Sequence, residues 1–300
     1  MSLISEYRNQ SRRNLTIALS LTALFFVVEL IGGILSNSLA LLSDAGHMFT
    51  DVLALGMSLL AMWIARKPPT EQKSYGFHRL EIFAALINGV TLAAISISIF
   101  VEAYRRFLDP PEVTAIPVII VAAVGLLVNL ISGYILHRSK NESINVRGAY
   151  LHVLGDALGS VGAILAGIIM VATGWRYADP LFSVLIGIII VFSSIRLIRD
   201  TTHILMQGTP PHIQPDEVRE SLCDHHSVTG VHDLHIWTLT SGIEAMTVHV
   251  NVDPELPMYR GDELIRELRT DIAEQFGIHH TTIQLERERP SDHRCVIQRH

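Results

Sequence analysis

Four side chains at two matched helical spacings have the makings of a metal cage. In SDAGHMFTD, His47 and Asp51 stand four residues apart, and in YLHVLGDALGS, His152 and Asp156 repeat the spacing. Residues i and i+4 share one helix face, so each pair presents an imidazole beside a carboxylate. Two imidazoles and two carboxylates form an N₂O₂ set. That set suits tetrahedral Zn²⁺ and tolerates Cd²⁺, Co²⁺ and Fe²⁺, whereas Ca²⁺ and Mg²⁺ favour oxygen ligands alone. The two carboxylates also neutralise a divalent ion. Asp44, one turn before His47, reads either as an outer partner that orients a ligand or as an interhelical hydrogen bond.

Both pairs lie inside apolar runs. A charged side chain at the centre of a bilayer costs roughly 2.5–3.5 kcal/mol even on the lenient insertion scale, so two such pairs need a common reason. Hydrophobic residues make up 49% of the 300 and charged ones 17%. Six stretches are long and apolar enough to span a membrane: 15–36, 39–65, 82–107, 113–137, 145–173 and 179–204. At 1.5 Å per residue, His47 to Asp51 lie about 12–18 Å into the second span and His152 to Asp156 about 10–17 Å into the fifth, both near mid-membrane. Small residues around the pairs (Ala45, Gly46, Gly155, Ala157, Gly159, Ser160) would let those two helices approach. Glu29, Asn88 and Asn129 read as interhelical polar contacts. Twelve basic residues fall at one side of the six spans and three at the other, which places both termini in the cytoplasm.

The expected domains are a polar N-terminal segment (1–14), a six-helix membrane domain (15–208) and a soluble domain (209–300). From Thr209 on there are sixteen acidic and eight basic residues, and ten of the fifteen histidines. QPDEVRESLCDHHS predicts a short helix, opened by Pro215 and early acids. GVHDLHIWTLTSG and IEAMTVHVNVD predict a hairpin turning at Ser241–Gly242. GDELIRELRTDIAEQF predicts a second helix and TTIQLERE a last strand. This α-β-β-α-β order makes a small α+β domain. Cys223 and Cys295 offer neither a disulfide framework nor a CxxC metal spacing. With no basic patch interleaved with aromatics, nucleic acid is not an expected partner. With no HExxH and no Glu beside a ligand His, an intramembrane metalloprotease is disfavoured, and no enzyme activity is expected.

These motifs together resemble the cation diffusion facilitator family of metal exporters, in its zinc–cobalt–cadmium branch. The resemblance rests on SDAGHMFTD, YGFHRLEIFAALING, HVLGD, VHDLHIWTL and HVNVDPELP, and covers nearly the whole chain. It implies a homodimer in a cell inner membrane that exchanges divalent metal for protons by alternating access, with no organic cofactor. His47, Asp51, His152 and Asp156 are then the transport ligands. The His at position 47, where some relatives carry Asp, favours zinc and cadmium.

The resemblance also implies a ferredoxin- or metallochaperone-like tail that binds regulatory zinc, with His232, His249, Asp262 and Glu286 as its candidate ligands and Gln284 beside them. Of the family's loop site between spans two and three, Lys73 and Phe77 occupy two positions and only His78 remains. His235, expected on the strand face opposite His232, reads as an ordinary strand histidine. The paired His225–His226 and His279–His280 read as solvated surface. A divalent-metal importer or channel using the same site, and a membrane-anchored metal sensor, are the alternatives, and flux against a zinc gradient under an imposed pH gradient separates them.

Overall fold

Six long helices occupy the first part of the chain in the computed structural model, which describes residues 2–36, 39–109, 115–141, 143–175 and 177–287. They are α1 (Ser2–Ser36), α2 (Leu39–Ile64), α3 (Arg79–Leu108), α4 (Ala115–His137), α5 (Ile144–Thr173) and α6 (Ala178–Leu205). Each expected span falls on one of them. Among the described residues, Asn9–Val28, Arg79–Leu108, Ile144–Thr173 and Pro180–Leu205 are long and apolar enough to cross a membrane. Shorter apolar stretches, Asp51–Ile64 and Ala122–His137, belong to α2 and α4.

Helix α1 does not wait for its apolar run. It starts at Ser2, because nothing in SLISEYRNQSRRN breaks a helix. Its polar turns are tied to neighbours: Asn14 donates to Ser139 Oγ (2.7 Å) and Arg66 to Asn9 Oδ1. Helix α5 ends where Gly174 turns left-handed (φ 72°) and its N–H bonds the Met170 carbonyl.

Helix α1 packs on α2 and α4, α4 on α5, and α3 on both α2 and α5, while α2 and α5 touch directly. Leu15, Leu55, Met62, Leu136, Val146 and Val153 form one buried cluster across α1, α2, α4 and α5. The small residues partly serve another contact than expected. A Cβ on Gly155 would stand 3.3 Å from Ile190 of α6, so this glycine opens α5 to α6 rather than to α2. On α6, a Cβ at Gly187 would come 2.8 Å from the Phe100 ring, closer than real side chains pack, so any larger residue there would push the ring aside where α3 and α6 meet.

The chain divides into two compact units between Thr202 and His203. The second has the expected order: α7 (Pro215–Cys223), β1 (Val228–Thr240), β2 (Ile243–Val252), α8 (Met258–Phe276) and β3 (His280–Glu286). β1 and β2 pair antiparallel across the Ser241–Gly242 turn, where Gly242 takes φ 73°. β3 lies parallel to β2, which α8 makes possible by carrying the chain back. Leu264, Leu268 and Ile272, one turn apart along α8, join Val218, Leu222, Val231, Ile236, Met246, Val248 and Val250 in a single core. Cys223 is partly buried against this core, and Cys295 lies outside the described residues.

One irregularity changes a prediction. Asp233 is held at φ 47°, and the register jumps from His232↔His249 to His235↔Thr247. Three steps on β1 match two on β2, which is a bulge. The extra residue reverses the alternation, so His235 shares a sheet face with His232 instead of opposing it.

Candidate metal centre

Asp51 comes from α2 and His152 and Asp156 from α5, where the two helices touch. His152 Nε2–H donates to Asp51 Oδ1 at 2.7 Å, and Asp156 Oδ2 stands 3.8 Å from the same nitrogen. One ligand atom from each of the three lies within 4.8 Å of the others. The side chains of His152 and Asp51 are 5% and 4% exposed and that of Asp156 17%. Burying two carboxylates around one imidazole is costly unless a cation balances them. The fourth expected ligand, His47, is one turn before Asp51 on α2. Its side chain, and those of Asp44 and Glu29, lie outside the described residues.

A second cluster forms on the tail sheet, on the face opposite Val248 and Val250. His232 and His249 are direct cross-strand partners with ring centroids 5.1 Å apart. Glu286 of β3 accepts from His232 Nε2 (3.0 Å) and lies 2.8 Å from His249 Nδ1. Gln284 donates to Glu286 Oε1, the oxygen that faces His249, at 2.8 Å. Burial pushes the Glu286 carboxyl up, but the hydrogen bonds from His232 and Gln284 and the imidazole charges outweigh it, leaving it below the usual carboxylate range. Asp262 does not join the group. Gly261, Leu264 and Leu268 take the buried side of α8, which turns Asp262 to solvent.

Comparison with known proteins agrees with this two-part layout. The model of the cation efflux transmembrane domain matches residues 15–206, and that of the cation efflux protein cytoplasmic domain, a dimerisation domain, matches 210–288. The chain belongs to the cation efflux family. This is the cation diffusion facilitator family that its motifs resemble, and it makes the chain an integral membrane protein of transporter type.

Within the family, the chain is 40% identical over 275 residues to the cadmium, cobalt and zinc/H(+)-K(+) antiporter of Bacillus subtilis strain 168, covering 91% of this chain and 88% of the relative. It is 41% identical over 280 residues to the metal cation efflux system protein CzcD of Cupriavidus metallidurans, covering 92% and 87%. It is 40% identical over 280 residues to the zinc transporter ZitB of Escherichia coli K12, covering 93% and 88%.

Between α2 and α3 of this cation efflux protein, His78 occupies the N-cap position of α3 without a side-chain cap bond to that helix. Lys73 Nζ lies 5.1 Å from the Phe77 ring centroid. The interhelical contact expected of Asn88 is present, in a buried polar layer whose other members, Ser58 and Asn145, sequence reasoning missed. Asn88 of α3 donates to Ser58 Oγ (3.0 Å), and Asn145 of α5 donates to the Ser58 carbonyl (2.7 Å). Sequence reasoning also missed Glu81, which is 2% exposed and accepts from Ser143 Oγ at 2.6 Å. The available signal was spacing: Asp51 to Ser58, Asn145 to His152 and Glu81 to Asn88 are each seven residues, two helical turns.

Proposed function

We propose that this chain is a proton-coupled antiporter that exports Zn²⁺, and with it Cd²⁺ and Co²⁺, from the cytoplasm. The transport site comprises His47, Asp51, His152 and Asp156, with Asp44 in support. The observation that carries the reading is the short bond from His152 Nε2–H to buried Asp51, with Asp156 Oδ2 3.8 Å from the same nitrogen. A proton there occupies the position a metal would take, since ligation needs the nitrogen lone pair free.

Zinc and protons therefore compete for one nitrogen. In the inward-facing state zinc displaces the proton; in the outward-facing state protons displace zinc, and the return swing carries them inward. The coupling is a difference in affinity between two states. The three relatives described above, named for metal efflux, zinc transport or antiport, support the same reading.

The distribution of basic residues supports cytoplasmic termini in a cell inner membrane. The domains run 1–14, 15–208 and 209–300, and the tail joins two copies into a homodimer. His232, His249 and Glu286 bind regulatory zinc there. The protein is a carrier and not an enzyme.

The test is zinc flux in proteoliposomes holding the full-length protein under an imposed pH gradient. The gradient should drive zinc against its own gradient in the wild type and not in Asp51→Ala. Flux that ignores the pH gradient would make the protein a channel.

A further inference from the structure

We propose that the cleft between α1 and α4 holds the headgroup of an anionic glycerophospholipid. The cleft has a volume of about 580 Å³ and is lined by Gln10, Arg13, Asn14 and Ile17 of α1 and by Tyr134 and Arg138 at the end of α4, among others. None of its described lining residues is acidic. Asn14 fastens α1 to Ser139 just beyond α4, which holds the two walls together. The Arg138 guanidinium lies 5.6 Å from the Tyr134 ring centroid. Arg66 donates to Asn9 at the rim, adding a third guanidinium.

Guanidinium forks fit phosphate oxygens two at a time, and a pair of them without a facing carboxylate is complementary to a phosphodiester. The location selects a lipid over a free phosphate. Arg13 and Asn14 lie near the start of a stretch of α1 long enough to cross a membrane, and Arg138 lies just past the antiparallel end of α4. Ile17 and Tyr134 continue the cleft towards the apolar side. Leu24 on α1 and Leu127 and Leu130 on α4 are also exposed, as surfaces against acyl chains are. Tyrosine at this level matches the aromatic belt of membrane proteins. Basic pockets between spans that bind anionic headgroups follow the same physics.

The test is native mass spectrometry of the full-length protein in mild detergent, mixed with equal amounts of dioleoyl phosphatidylglycerol and dioleoyl phosphatidylcholine. The wild type should retain phosphatidylglycerol in clear preference. Arg13→Gln/Arg138→Gln should lose that preference, at about fivefold per arginine. Arg12→Gln, outside the cleft, should keep it. Equal retention of both lipids by the wild type, which needs no variant to fold, would overturn the proposal. So would an Arg12→Gln effect as large as that of the double variant, or displacement of the lipid by millimolar glycerol 3-phosphate.

Discussion

The two His–carboxylate clusters are built from the same side chains and differ in proportion and in burial. In the membrane unit two carboxylates flank one described imidazole, with side chains 4–17% exposed. On the tail sheet two imidazoles share one carboxylate, with side chains 14–33% exposed. Water can solvate the tail cluster whether or not a metal is bound, so occupancy there can follow the surrounding concentration. The membrane cluster has little water, and its excess negative charge demands a cation or protons in every state. The same ligand chemistry thus suits a sensor in one place and a cargo site in the other.

The largest test of this contrast is removal of a membrane ligand. His152→Ala or Asp156→Ala should lower zinc flux in proteoliposomes by more than about 100-fold, beyond the 10–100-fold typical of losing an outer partner. Retained flux in both would end the contrast. Next comes Glu286→Ala in a His152→Ala background, where calorimetry on the full chain sees the tail alone. Zinc affinity should fall by roughly 10–100-fold, since Glu286 touches both imidazoles.

A smaller effect is expected of His47→Asp, which replaces nitrogen by oxygen. Flux should persist while preference for zinc over manganese drops by about tenfold. The smallest concerns Glu244 on β2. Burial raises its carboxyl above the ordinary range, and the His212 and His279 charges and a backbone hydrogen bond only partly oppose this. A raised folded-state value means stability present at low pH is lost as pH rises through it. Glu244→Gln should therefore melt slightly higher than the wild type at pH 7.5, with the gap closing near pH 4.5.

Periodic features were legible in the sequence. The His152–Asp156 pair and its counterpart on α2 stand out because helical spacing fixes which residues share a face. The tail order stands out because strand and helix periods differ. What stayed hidden depends on how elements are rotated against each other. Ser58 looks like any small residue of an apolar helix until α3 and α5 each bring an asparagine to it. Gly155 serves α6 because of the side of α5 it occupies, and no local spacing encodes that choice. The bulge at Asp233 was hidden for another reason: a left-handed position filled by Asp lacks the glycine that would have marked it. One unmarked residue moved His235 to the other face.

Ser58 also constrains how α5 can travel. Its carbonyl bond to Asn145 and the Asp51–His152 bond lie two turns apart along the same pair of helices. Sliding α5 lengthwise by one turn would break both at once. Tilting α5 about the Ser58 end breaks only the distant one. In such a tilt the lower bond would be the pivot and the upper one the latch. A gate built this way swings open at the metal ligands while its hinge stays shut.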